Sequence, residues 1–427
     1  MSPTATVRRP GGRVRELLLR GDVVLVVTAL VLSLVGALLV GSATRAEAGS
    51  TVFVKHLVNL AVGLVMAGAL LRLDRHTLRA LAPVLYLLSV AALVVVLGPL
   101  GSTVNGSRSW VELPVGLSVQ PSELAKVALC VALSMVLADA AERGRAPTTR
   151  DVLVSGAVVG VPVLLVLAQP DLGSALVLLA LSVGVLVASG ARWPWLAGLA
   201  LVAGGAVLAA FTTPVLSGYQ RDRLATFLDP SADPLGIGYQ TQQVREAIGS
   251  GGLLGSGLGA GELTQSGRIP FQETDFVFSV AGEELGFLGG AVIIALYGLL
   301  VARIGLAAAR ADHFGRLVCV GVATWFGVQV VENVGMNLGV MPVTGLPLPF
   351  LSYGAARCSP AGSRSRSSCR PHRASAEPRS GCPGGGSGHL TTTFDREPVT
   401  GAPPGAKVVH HRPRRRRRGR LLSRSPR

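Results

Sequence analysis

Hydrophobic residues in this chain are gathered into long runs divided by short polar links, and it is the length of the runs that carries information. A helix that crosses a hydrocarbon core needs about 20 apolar residues. Nine blocks reach or approach that length, at roughly 22–41, 56–71, 80–100, 122–138, 152–168, 172–190, 194–212, 276–302 and 316–338. The pattern predicts an all-α fold: a polytopic transmembrane helix bundle with nine readable spans and one large outer loop at about 213–275. Residues 1–21 then form an N-terminal tail, 22–354 the membrane domain, and 355–427 a polar, disordered tail.

Arg8, Arg9, Arg13, Arg15 and Arg20 precede the first run much as a charged region precedes a signal-peptide core. The run Val23–Val40 is too long for such a core and has no convincing cleavage site, so it reads as a first span. Lys and Arg are retained on the cytoplasmic side of short loops. With the N-terminus inside, Arg72, Arg75 and Arg79, then Arg143, Arg145 and Arg150, then Arg192, then Arg303, Arg310 and Arg316 all fall on that side.

Composition agrees with a membrane protein: 49% of residues are hydrophobic and 15% charged. The formal charge of +16 misleads, because seventeen Lys or Arg and three acids lie from Ala355 onward, which leaves the rest near +2. A nucleic-acid partner therefore has no support from the body of the chain. Cys130 and Cys319 lie in apolar blocks and Cys358, Cys369 and Cys382 in the tail, a spacing that suggests neither a disulfide framework nor a metal site. The glycine-rich stretch Gly249–Gly261 lacks the GxxxxGK[ST] pattern of a phosphate cradle, and a tight re-entrant or interfacial turn fits it better.

Ionisable residues at membrane depth are costly and call for a named partner. In Gln120-Pro-Ser-Glu-Leu-Ala-Lys126, Ser122 is a candidate N-cap. Glu123 and Lys126 share a helical face, either as a structural i,i+3 pair or as a charged pair at a cavity rim with Lys126 placed to meet a phosphate. Asp171, in Gln169-Pro-Asp-Leu-Gly173, reads first as the cap of the sixth helix. Asp275 stands where the outer loop enters the eighth span, with Glu283 and Glu284 about two turns deeper; a lone Asp at a helix start is usually a cap, whereas an acid at a cavity mouth beside two buried acids is a better general-base candidate. The proline- and glycine-rich stretch Gly335–Gly354 breaks a helix at membrane depth, which is tolerated where the backbone lines a cavity.

QPSELAK, TDFVFSVAGEELG and PVTGLPLPFLSYG, in this order and over about 20–354, together resemble the shape, elongation, division and sporulation (SEDS) family. TQSGRIPFQETDF and MPVTGLPLPFLSYG look more like its elongation member, RodA, than its division member, FtsW. The resemblance implies a ten-helix bundle in the bacterial cytoplasmic membrane that polymerises lipid II at the outer face. It makes Asp275 the catalytic carboxylate and matches Glu123 and Lys126 to the polar pair of the cavity. Arg108, Asp171, Glu283 and Ser352 complete the expected substrate-binding set, with Arg221 and Arg223 as weaker cationic candidates. A divalent cation, magnesium or manganese, near Asp275 or the pyrophosphate is compatible with this chemistry, although no residue pattern marks its site. The implied partners are lipid II, membrane lipid and a class B penicillin-binding protein. Two rival readings share the features: a flippase or transporter of the lipid-linked precursor, and a non-catalytic scaffold of the elongation machinery. The family continues past SYG into a tenth apolar helix, whereas this chain turns to AARCSPAGSRSRSS, the composition expected of a shifted reading frame in GC-rich coding sequence.

Overall fold

The computed structural model describes residues 23–45, 50–70, 72–104, 107–112, 118–199, 201, 223, 226–227, 236–353 and 356–357. Its helices are α1 (Val23–Ala43), α2 (Ser50–Leu70), α3 (Arg75–Leu97), α4 (Pro121–Glu142), α5 (Thr149–Ala168), α6 (Leu172–Ala188), α7 (Ile237–Ser250), α8 (Glu262–Gln265), α9 (Val277–Glu284), α10 (Gly286–Arg310) and α11 (His313–Asn337). Between α3 and α4 lie the strands β1 (Gly101–Val104), β2 (Ser107–Glu112) and β3 (Ser118–Val119), antiparallel to one another. A two-residue strand β4 (Ala356–Arg357) pairs with β3.

Seven described helices are long and apolar enough to cross a membrane, namely α1 to α5, α10 and α11, with α6 a shorter apolar helix. The 194–212 block is described only at its start, where 193–199 are helical. The rest of that block, most of the loop from 213 to 235 with Arg221, the N-terminal tail and everything after residue 357, where a tenth span would stand, lie outside the described residues.

Two apolar cores flank α11. One joins α3, α4, α5 and α6 through Leu93, Leu129, Leu133, Val166, Leu178 and Leu181, and receives Phe314 and Leu317 of α11. The other joins α1, α9 and α10 through Leu39, Val280, Tyr297 and Leu300, and receives Val330 together with Leu348 and Leu351 of the chain after α11. Small residues allow close approach, as expected where helices associate without a hydrophobic drive between them. A Cβ on Gly36 would lie 2.4 Å from the Leu351 carbonyl oxygen, and one on Gly184 would lie 2.3 Å from Thr324 Oγ1. Arg79 at the start of α3 pairs with Asp139 and Glu142 at the end of α4, which pins the basic loops at one end of the bundle.

The predicted span 276–302 is not one helix. It breaks between α9 and α10, where Leu285 and Gly286, the latter at φ +69, turn the chain. The turn after α7 fills this break. Ser256 and Gly257 donate their N–H groups to the Glu283 and Glu284 carbonyls (both 3.0 Å), and Phe287 donates to Gly252 O (2.9 Å). Orphan groups of two helix ends are thereby satisfied inside the protein. The approach is backbone on backbone, since a Cβ on Gly255 would sit 2.2 Å from Glu284 O. Glu283 closes the same region from below: its carboxylate accepts from Leu263 N (2.8 Å), Thr264 N (2.8 Å) and Thr264 Oγ1 (2.7 Å), at the first turn of α8.

Gly286→Ala therefore forces a side chain into positive φ and into the Gly255 backbone, and should lower stability by about 2–4 kcal/mol. Gly298→Ala, in the same helix with nothing within 4 Å of the added Cβ, serves as control and should leave the thermal midpoint in detergent unchanged or raised. Equal midpoints for the two variants would refute this account of the break. Glu283→Ala should also expose the amides of Leu263 and Thr264 to faster hydrogen exchange while protection in α11 holds.

Candidate functional site

The starts of α4 and α6 lie side by side. Pro121 occupies the first turn of α4, where its missing N–H costs nothing, and the cap position belongs to Gln120, so Ser122 is not the N-cap that the sequence suggested. Ser122 instead accepts a hydrogen bond from Ser174 Oγ (3.2 Å) across to α6. Asp171 caps α6 as expected, accepting from Ser174 N (3.0 Å), and its other oxygen takes Gln120 Nε2 (3.2 Å). One carboxylate thus joins two helix N-termini, where the helix dipoles favour negative charge.

One turn into α4, Lys126 is fully buried. Its Nζ donates to Glu123 Oε1 (2.5 Å) and to Gln329 Oε1 (3.3 Å), and lies 5.5 Å from the Trp325 ring centre. An ammonium has three N–H groups. Among the described residues two of them have acceptors, which leaves one donor for an incoming anion.

Gln329 belongs to a polar stripe on α11 that the sequence reading missed. Its Nε2 donates to Pro347 O (2.6 Å), while Asn333 Nδ2 donates to Leu346 O (2.6 Å) and to Asp275 O (2.9 Å). Asn337 Nδ2 adds a bond to Asp275 O (3.3 Å). Gln329, Asn333 and Asn337 follow each other at i, i+4 and i+8 along an apolar span, with Glu332 beside them, and that spacing was the available signal.

Asp275 is 6% exposed and sits in a turn closed by its own N–H to Phe271 O (3.0 Å). The cap position of α9 is Phe276, without a side-chain cap bond, so the Asp275 carboxylate is not the helix cap of the simple reading. It faces the turn at Gly345 (φ +77), whose hypothetical Cβ would lie 3.4 Å from Asp275 Oδ2. Thr344 and Leu346 pack on the other side against Gly173 of α6. The stretch 342–353 therefore bridges Asp275, the α6 start and, through Gln329, Lys126.

The remaining expected residues fall elsewhere. Glu283 and Glu284 lie about two turns past Asp275, but they end the short helix α9 instead of continuing into a long span. Glu283 clamps α8, and Glu284 accepts from Ser42 Oγ (2.6 Å). Burial pushes the Glu284 carboxyl above its ordinary value, opposed by hydrogen bonds from Ser42, the Gly259 backbone and Gln265. Ser352 Oγ accepts from Leu348 N (2.8 Å) and closes its own turn. Arg108 is exposed on β2 and donates Nε to Gly101 O (3.0 Å) of its own hairpin. Among the described residues no group of three or more His, Cys, Asp or Glu side chains could hold a metal ion.

Residues 17–359 match the family model described as cell cycle protein, which spans FtsW, RodA and SpoVE. The probable peptidoglycan glycosyltransferase FtsW of Coxiella burnetii is 35% identical over 350 residues, covering 78% of this chain and 91% of that protein. Peptidoglycan glycosyltransferase MrdB of Escherichia coli K12 is also 35% identical, over 337 residues, covering 78% and 89%. A solved chain from a peptidoglycan synthase complex coordinating polymerization and crosslinking shares 37% identity at TM-score 0.65, covering 78% of this chain and 91% of its own. With its helical bundle and these matches over most of its length, the chain belongs to the SEDS family of FtsW, RodA and SpoVE.

Proposed function

We propose that this chain is a peptidoglycan glycosyltransferase that polymerises lipid II, the undecaprenyl-pyrophosphate-linked disaccharide pentapeptide, into glycan strands at the outer face of the bacterial cytoplasmic membrane. The names of its relatives support the enzyme class. One observation carries the assignment of residues: a single turn of α11 holds the Lys126 ammonium through Gln329 and the Asp275 main chain through Asn333.

The acceptor's 4-hydroxyl attacks the anomeric carbon of the donor with inversion, the bond from that carbon to the pyrophosphate oxygen breaks, and Asp275 takes the hydroxyl proton. Asp275 is suited to this because its backbone is held on both sides while its carboxylate faces the flexible-geometry turn at Gly345. The free donor of Lys126 meets the negative charge that develops on the leaving pyrophosphate, in a setting where buried charges act strongly. A divalent cation, if bound near Asp275 and the pyrophosphate, would neutralise charge on the leaving group. A class B penicillin-binding protein as partner is supported by the synthase complex to which the chain is similar. A cytoplasmic N-terminus follows from the Arg-rich short loops. The RodA-like wording of TQSGRIPFQETDF favours a role in elongation, while an FtsW relative reaches 40% identity against 35% for MrdB.

The test is glycan-strand synthesis from labelled lipid II by the purified full chain with its penicillin-binding partner. Asp275→Asn should lower the rate by at least about 100-fold, and Lys126→Met by a comparable factor of about 100, with thermal midpoints near that of the wild type. Transfer of lipid II across vesicle membranes without polymer would establish the transporter reading instead. Neither polymer nor transfer would leave the scaffold.

A further inference from the structure

Lys126 offers its remaining N–H to an anion only if the ammonium is held in one place. A lysine head is carried on a long flexible stem. Glu123 cannot hold it alone, because that carboxylate stands on the same helix, has 17% of its side chain accessible, and can swing together with the lysine. The second anchor comes from another helix: Gln329 Oε1 on α11 accepts from Lys126 Nζ at 3.3 Å. Two acceptors on two helices fix the position of Nζ, and with it the direction of the third N–H.

The Gln329 amide is itself locked at both ends. Its Oε1 also accepts from the Trp325 indole Nε1–H (2.5 Å), one turn earlier on α11, and its Nε2 donates to Pro347 O (2.6 Å). An amide set between a donor and an acceptor has one orientation. Turned over, it would bring N–H against N–H at Trp325 and oxygen against oxygen at Pro347. The oxygen therefore stays toward the ammonium. The indole touches the same ammonium a second way, since Nζ lies 5.5 Å from the ring centre, within cation–π reach. Holding Pro347 needs only the amide nitrogen, whereas the oxygen serves the indole and the lysine.

We propose that Gln329 is a positioning residue that acts through Lys126, aiming its third N–H into the site, and that Trp325 acts through Gln329 by fixing which way the amide faces. This rests on the polymerase reading for what is aimed at, the leaving pyrophosphate; the contacts themselves do not depend on that reading. A donor aimed in advance needs no reorganisation when charge develops, which is where a preorganised site gains its rate.

The experiment measures binding of undecaprenyl pyrophosphate to the full chain in nanodiscs by titration calorimetry, beside polymerisation of labelled lipid II with the penicillin-binding partner. Gln329→Met, which keeps the length and removes the acceptor, should weaken binding at least about fivefold and slow polymerisation at least about tenfold. Trp325→Phe, which keeps an aromatic face and removes the N–H, should slow polymerisation about threefold or more. The double variant should be no slower than Gln329→Met alone, because both changes act on one path. In the Lys126→Met background, Gln329→Met should alter affinity by less than about twofold. A merely structural role, support of the stretch 342–353, predicts additive losses and the same loss of affinity without the lysine. Either of those results, or affinity within about twofold of wild type in Gln329→Met, overturns the proposal. If Gln329→Met does not fold, Trp325→Phe decides alone, and a wild-type rate in it overturns the proposal equally. Wild-type chain that binds undecaprenyl pyrophosphate and makes no polymer would defeat the polymerase reading, while the calorimetric comparison still judges Gln329.

Discussion

A polar side chain that sits among apolar helices must find its partner within the protein, because no water is there to replace it. On α11 this constraint is met by one stripe, in which Gln329, Asn333 and Asn337 present amide donors to the carbonyls of Pro347, Leu346 and Asp275. Those carbonyls belong to chain that is not helical, and the amides supply them with donors. The irregular stretch 342–353 and the turn at Asp275 can exist at this depth because α11 supplies their hydrogen bonds. Both halves of the site follow, since the stripe also reaches Lys126.

The same rule governs the break between α9 and α10. Ending one helix and starting another inside a bundle exposes carbonyls and N–H groups at the join, and the turn 251–257 delivers backbone partners to both sides. Glycines at 251, 255 and 286 are required because the two backbones touch. Glu283 and Glu284 extend this arrangement with side chains, one to α8 and one to Ser42 of α1. Their burial is structural in origin, and it keeps α9, with Asp275 just before it, in a defined position against α1 and α11.

Electrostatically the site is lopsided. Glu123, Asp171, Asp275 and Glu332 gather around α11 and the starts of α4 and α6, against Lys126 as the fully buried cation among the described residues. The buried ammonium is tolerated at this position because Glu123 and Gln329 accept hydrogen bonds from it.

Much of this was legible along the chain. Run lengths determine the spans, because the thickness of a hydrocarbon core dictates how many apolar residues a helix needs. Local spacing determined the Glu123–Lys126 pair and the Asp171 cap, since each involves residues three apart on one helix. Motif order was specific enough to name the family to which the chain belongs. What the chain could not disclose depends on contacts between residues far apart in sequence. The span at 276–302 looks continuous until a loop from 251–257 arrives to hold it open. Glu283 and Ser352 look like site residues until their oxygens are seen accepting N–H groups from the fold itself. Periodicity fixes which side of a helix a residue occupies, whereas what lies opposite that side is decided by packing, and it is the opposite partner that makes a buried acid a clamp or a cap.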